Sequence, residues 1–199
     1  MSTAGDRRLE RWVAALVESP GLTAIRTSED ARRVHVDESL AALPLVARYE
    51  GPIIDVGSGG GSPGIPLAAA LPDREVTLLE ASRRKCEFLD RWAREFPNVR
   101  VVCGRAEEQP LERFGVAVAR ALAKPPVALE WCLPLVAVGG AALVYVGPST
   151  APAVVAGVAE RLGGGPPQLE NGVLVVPKVA PTPPGFPRRA GMAKKRPLA

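Results

Sequence analysis

Cysteine, histidine and aromatic side chains are scarce in this 199-residue chain, which holds three cysteines, one histidine, four phenylalanines, three tryptophans and two tyrosines. Cys86, Cys103 and Cys132 fall on three separate predicted elements and show no C-x-x-C spacing, so neither a disulfide framework nor a zinc site is indicated. They are expected as buried small hydrophobes in a reducing compartment, and no metal is expected. Long apolar runs are missing too. The stretch from Trp12 to Val17 is short and bracketed by Glu10 and Glu18, which excludes a signal peptide or membrane span and makes a cytoplasmic protein the default. No internal repeat is apparent.

The chain does carry an uneven positive charge. Its formal net charge is +4, yet the segment from Lys178 onward holds Lys178, Arg188, Arg189, Lys194, Lys195 and Arg196 with no acidic residue. Such asymmetry points to an anionic partner. That partner can be nucleic acid or a membrane surface, and residues 180–199, rich in proline and cations, are expected to form an extended or disordered tail.

The most informative run is Asp55-Val56-Gly57-Ser58-Gly59-Gly60-Gly61-Ser62-Pro63-Gly64. It follows Pro52-Ile53-Ile54, an apolar run suited to a buried parallel strand, and precedes Ile65-Pro66-Leu67-Ala68, which begins like a helix. Glycines at such a junction admit positive φ and let a ligand lie against bare main chain. A dinucleotide fingerprint G-x-G-x-x-G would need glycine at position 62, where Ser62 stands. A D-x-G-x-G-x-G spacing fits through Asp55, Gly57, Gly59 and Gly61. That spacing resembles the first motif of Rossmann-like S-adenosylmethionine-dependent methyltransferases.

Elsewhere, strands and helices alternate. The spacing predicts a helix over 6–18, a second over 28–48, strands over 75–80, 99–103, 116–120 and 141–146, and helices over 82–95, 107–114, 126–137 and 151–162. This alternation implies a parallel doubly wound sheet. Asn171-Gly172, between two apolar runs, then predicts a closing antiparallel hairpin. The chain divides into a helical cap over 1–50, a core over 51–179 and the basic tail, all in one globular unit.

In an open α/β sheet the ligand sits beyond the carboxyl ends of the strands. Glu80 ends the second strand, where a carboxylate can take both hydroxyls of a ribose; nicotinamide and S-adenosylmethionine enzymes share that acid. After the third strand, the Ala106 backbone N–H can meet an adenine ring nitrogen, and Glu107 can accept from its amino group or serve only as an acid in a first helical turn. Arg120, ending the fourth strand, can hold a cofactor carboxylate, a substrate, or neither. The Asn/Asp-Pro-Pro-aromatic turn of amino-directed methyltransferases is missing there, and no cysteine is placed for pyrimidine methylation.

Taken in order, DVGSGGGSPGIPLA, LLEASRRKCEFLDR, GRAEE, VARALAKP, WCLPLVAVGGAALVYVG and FPRRAGMAKKRPL resemble the bacterial 16S rRNA guanine-N7 methyltransferases of the glucose-inhibited division protein B family. The resemblance implies a class I methyltransferase fold, a mostly parallel seven-stranded sheet ending in an antiparallel hairpin. It also implies S-adenosylmethionine as cofactor, and N7 of a guanine in the decoding-region loop as acceptor. By matching positions, Gly57, Gly59, Gly61, Ser62, Ala106, Glu107 and Arg120 would contact the cofactor, with Glu80 beside its ribose. His35 falls where the family carries a histidine followed by a carboxylate and a serine, and either approaches the base or is structural. Arg188, Arg189, Lys194, Lys195 and Arg196 would hold 16S rRNA or the small subunit. A monomer is expected. Since N7 already carries an in-plane lone pair, no catalytic base is expected, and orientation supplies most of the rate.

Overall fold

The computed structural model of the chain describes residues 7–198. A helical cap comes first: α1 (Arg7–Glu18), α2 (Ser28–Arg32), a π-helical turn (Arg33–Asp37), α3 (Glu38–Leu40) and α4 (Leu43–Val46). The core follows as β1 (Ile53–Val56), α5 (Gly64–Ala70), β2 (Val76–Glu80), α6 (Arg83–Ala93), β3 (Val99–Cys103), β4 (Phe114–Arg120), α7 (Pro125–Cys132), β5 (Val136–Tyr145) and α8 (Ala153–Arg161). The hairpin β6 (Gln168–Glu170) and β7 (Val173–Pro177) and a short α9 (Met192–Lys195) complete it.

The sheet has seven strands in the order β3-β2-β1-β4-β5-β7-β6, parallel throughout except for β7, which runs antiparallel to both β5 and β6. Its strands read as continuous apolar runs because helices cover both faces. Alternate residues serve opposite layers: Val116, Val118, Ala141 and Leu143 pack beneath α1, α5 and α6, while Ala117, Ala119, Ala142 and Val144 pack beneath α7 and α8. The strand order reverses between β2-β1 and β4, which opens a crevice at the carboxyl end of β1.

The cap is seated over that crevice. Leu9, Trp12, Val13 and Leu16 recur at helical spacing and are buried, each contributing roughly 1.5–3 kcal/mol relative to exposure. Trp12 also donates its indole N–H to the Gly60 carbonyl at 2.9 Å, tying α1 to the glycine loop. At the other end of the cap, Arg48 makes a bidentate pair with Glu170 of the hairpin, 2.7 Å at each contact.

Several expectations require correction. The helix expected over 28–48 is four pieces, interrupted by the π turn and by Pro44 near the start of α4. The helix expected over 107–114 is a single 3₁₀ turn, Ala106–Glu108, since Pro110 removes a donor and Phe114 already belongs to β4. Likewise α7 stops at Cys132, and Pro134 lies in a 3₁₀ turn that leads into β5 five residues earlier than expected.

The cysteine expectation also changes. Cys86 and Cys103 are disulfide-bonded, with Cα atoms 5.8 Å apart, because the first turn of α6 packs back on the end of β3; Cys132 is free and buried. The tail is packed rather than extended or disordered: α9 contacts α7, Ala193 is buried, and the Lys178 ammonium is buried against the Leu162 carbonyl and the Thr182 hydroxyl, each at 2.7 Å.

Candidate functional site

The glycine loop leaves β1 by a turn that only glycine adopts freely. Gly57 has φ +73°, and the N–H groups of Gly57 and Ser58 both donate to the Leu79 carbonyl, at 2.8 and 3.0 Å. A Cβ at Gly57 would lie 2.3 Å from Leu122 Cδ1, whereas one at Gly59 would meet only the Gly57 oxygen at 3.9 Å, so the main chain at Gly59 faces open space. Asp55 fixes the far end of the loop: its Oδ2 accepts the Gly64 N–H at 2.9 Å, and its Oδ1 is buried with no partner among the described residues. Burial pushes the Asp55 carboxyl up to about 7, only partly opposed by the Gly64 N–H.

Two adjoining cavities meet at this loop. One, about 260 Å³, is lined by Gly57, Glu80, Gly104, Ala106, Glu107 and Trp131 among others. The second, about 420 Å³, lies between the loop and the cap, lined by Thr23, His35, Gly59, Ser62 and Arg120 among others. Gly57, Lys85 and Ala121 belong to both. Together they form an elongated cleft along the carboxyl ends of β1, β2, β3 and β4.

Glu80 stands at its centre. Oε2 accepts the Gly59 N–H at 2.9 Å and Oε1 the Ser82 N–H at 2.8 Å, so each oxygen is oriented by one backbone donor and retains a lone pair toward the cleft. Gly59 and Ala106 also line the two cavities, whereas Gly61, expected beside them, is buried against Ile65 and Leu89 and lines neither. Glu107 lies at the outer end, where its Oε1 accepts from the Trp131 indole at 3.0 Å and from the Gly191 N–H at 3.1 Å.

At the opposite end Arg120 clasps the cap to the loop. Its Nη1 donates to the Val34 carbonyl and reaches the Ser39 and Ser62 hydroxyls at 3.4 and 3.3 Å, while Nη2 pairs with Glu38 at 3.0 Å. Ser39 donates to the His35 carbonyl at 2.7 Å, and the single proton of Ser62 can go to that carbonyl at 3.1 Å or to Ser39 Oγ at 3.0 Å. The π turn places this carbonyl and that of Val34 against β4 and the loop; such turns concentrate at functional sites. The His35 ring bonds Thr23 through Nε2 at 3.0 Å, and burial, with Arg120 nearby, holds its pKa below the ordinary imidazole value.

The tail cations divide. Arg188 is spent on Glu130 and Lys194 lies 5.3 Å from the Trp131 ring centroid, whereas Arg189, Lys195 and Arg196 are exposed. Among other exposed cations, Arg105 lines the cleft, while Arg26 lies in the cap loop and Arg83 and Lys124 follow β2 and β4 in sequence.

Glu38, Ser39, Glu130 and Trp131 are site neighbours that sequence reasoning left unassigned. Glu38 and Ser39 follow His35 in VHVDESL, a usable signal; Glu130 and Trp131 sit in an apolar helix that gives none.

A doubly wound sheet with an antiparallel seventh strand, a D-x-G-x-G-x-G turn after β1 and an acid ending β2 define a class I S-adenosylmethionine-dependent methyltransferase. Solved structures agree on the fold: a putative S-adenosyl-L-methionine-dependent methyltransferase from Methanococcus maripaludis superposes with TM-score 0.55 at 15% identity, covering 86% of this chain and 94% of that one. The antibiotic-resistance methyltransferase Kmr gives 0.54 at 16% identity, covering 70% and 92%. The chain belongs to the GidB family, described as rRNA small subunit methyltransferase G, whose model matches residues 7–158. Among its relatives, the ribosomal RNA small subunit methyltransferase G of Moorella thermoacetica is 36% identical over 197 residues, spanning 89% of this chain and 82% of the relative. The protein of the same name from a Synechococcus species is 37% identical over 217 residues, spanning 96% and 84%.

Proposed function

We propose that this chain transfers a methyl group from S-adenosylmethionine to N7 of a guanine in the decoding-region loop of 16S rRNA, acting as a cytoplasmic monomer. The observation that carries the reading is the cleft itself: bare main chain at Gly59 beside the doubly oriented Glu80 carboxylate, at the switch point of the sheet. The residues present fit the cofactor. Glu80 keeps acceptor capacity for two ribose hydroxyls, the Ala106 backbone and Glu107 border the adenine end, and the Thr23–His35–Ser62 region borders the methionine end. The cofactor supplies an electrophilic methyl group on a sulfonium.

The acceptor chemistry suits what the site contains. With the cofactor bound, the N7 lone pair would take up the methyl group as the C–S bond broke, so no proton would have to move and the base would leave with a positive charge. No general base is therefore required: His35 is bonded to Thr23 through Nε2 and burial holds its pKa below the ordinary imidazole value, and burial drives the Cys132 thiol far above its ordinary pKa. The work of the chain is alignment, which is worth roughly 7–11 kcal/mol in well-oriented reactions. Arg105 and Lys194 line the mouth and, with the exposed Arg26, Arg83, Lys124, Arg189, Lys195 and Arg196, would neutralise phosphates of the RNA.

Small subunits lacking the modification, incubated with the protein and methyl-labelled cofactor, should take up label at one guanine that becomes sensitive to borohydride and aniline cleavage. Label at another atom, or none despite tight S-adenosylhomocysteine binding, would overturn the assignment; the second result would indicate an RNA-binding assembly factor with a vestigial site.

A further inference from the structure

The outer wall of the cleft is built by the C-terminal tail. Arg188 donates from Nε and Nη2 to the two oxygens of Glu130, both at 2.6 Å, and the Glu130 side chain is only 3% exposed. A bidentate, desolvated pair of this kind fixes geometry as well as position. It holds the following segment so that Ala193 is buried, Lys194 lines the cleft over Trp131, and the Gly191 N–H meets Glu107 Oε1. Trp131 donates to that same oxygen from the other side. Glu107 Oε1 thus has two donors, while Oε2 has no partner among the described residues. A carboxylate with one oxygen anchored twice has its second oxygen aimed.

We propose that the tail, through Arg188 and Gly191, is a positioning element that aims Glu107 Oε2 at the exocyclic amino group of the cofactor's purine, and so makes the site select a 6-amino over a 6-oxo purine. The proposal rests on the reading of this cleft as the S-adenosylmethionine site. A 6-amino purine offers a donor to Oε2 and a ring-nitrogen acceptor to the Ala106 N–H. A 6-oxo purine reverses both: its carbonyl oxygen faces the carboxylate and its N1–H faces the backbone N–H. Mismatches of that kind leave buried polar groups unpaired and cost far more than a lost methylene.

The test is calorimetric titration with S-adenosylhomocysteine and with S-inosylhomocysteine. Three proteins are compared: the full chain, Trp131→Phe, and a chain lacking residues 187–199 that also carries Glu130→Gln so that no buried charge is left unpaired. The full chain should prefer the adenosine ligand by at least ~100-fold. Truncation should lower that preference to a few-fold and weaken S-adenosylhomocysteine binding about tenfold, and Trp131→Phe, which removes one donor while keeping the tail docked, should fall between. A merely structural tail would weaken both ligands equally, so an unchanged preference in folded variants overturns the proposal. Failure of the full chain to bind S-adenosylhomocysteine would instead overturn the cofactor reading beneath it.

Discussion

Replacing Asp55 by Asn should flatten the dependence of stability on pH. The Asp55 carboxyl rises from 3.8 to about 7 on folding, chiefly through burial. Below pH 4 both folded and unfolded chains hold the proton and the residue contributes no pH dependence. Between pH 4 and 7 the unfolded chain releases the proton while the folded one keeps it, so stability falls as pH rises, by up to about 1.4 kcal/mol per unit. Above pH 7 the loss levels off at about 4 kcal/mol relative to acid. Asn carries no such titration, and its amide oxygen can still accept the Gly64 N–H. Urea unfolding of both proteins from pH 4.5 to 8.5 isolates the effect, because shifts from all other carboxylates cancel in the difference. The Asn variant should gain on the native chain by a few kcal/mol across that range. Parallel curves would refute the argument that Asp55 is buried without full compensation.

Arg120→Ala should weaken S-adenosylhomocysteine binding at least ~10-fold, since it removes the Arg120 donor from the Val34 carbonyl at roughly 1–3 kcal/mol and frees the cap from the loop, whereas Glu38, half exposed and also paired with Arg33, loses little. Arg120→Lys should not restore it, because a single ammonium cannot fork to both acceptors; recovery in calorimetry would refute the clasp. Gly57→Ala should lower the melting temperature, as φ +73° costs a side chain about 1–2 kcal/mol before Leu122 moves aside; an unchanged melting curve would show that the turn is not held there. Reducing the Cys86–Cys103 bond, which closes a loop of 17 residues, should lower unfolding stability by about 3 kcal/mol, and a Cys86→Ser/Cys103→Ser chain should match the reduced protein and ignore dithiothreitol.

Most of the sheet was legible because its strands are short apolar runs punctuated by glycine and proline, and Asn171-Gly172 announced the hairpin. Much of the cleft was legible for a related reason: Gly57, Gly59, Glu80 and Ala106 sit at or just beyond strand ends, where the chain order maps directly onto the crevice. What stayed hidden depends on contacts distant in sequence. Arg188 and Lys194 read as RNA-binding cations of an extended basic tail until Glu130 and Trp131, about sixty residues earlier, are brought beneath them. The Cys86–Cys103 pair depends on the crossover from β2 to β3 folding back on itself. Helical periodicity over 28–48 was real, but a one-residue offset inside it leaves the apolar pattern nearly unchanged and so gives no warning.

That offset, the π turn at residues 33–37, bears on how the cap can vary. Here the information lies in the number of residues more than in their identity. Removing one of the five would let the segment relax to an α-helix with the flanking turns nearly in register, while closing the wide turn that presents the Val34 and His35 carbonyls to Arg120 and to Ser39 and Ser62. Substitutions in the same stretch leave the count intact. A single-codon deletion there should therefore weaken the clasp on Arg120 while leaving the rest of the cap in place, read as weaker S-adenosylhomocysteine binding with little change in melting temperature.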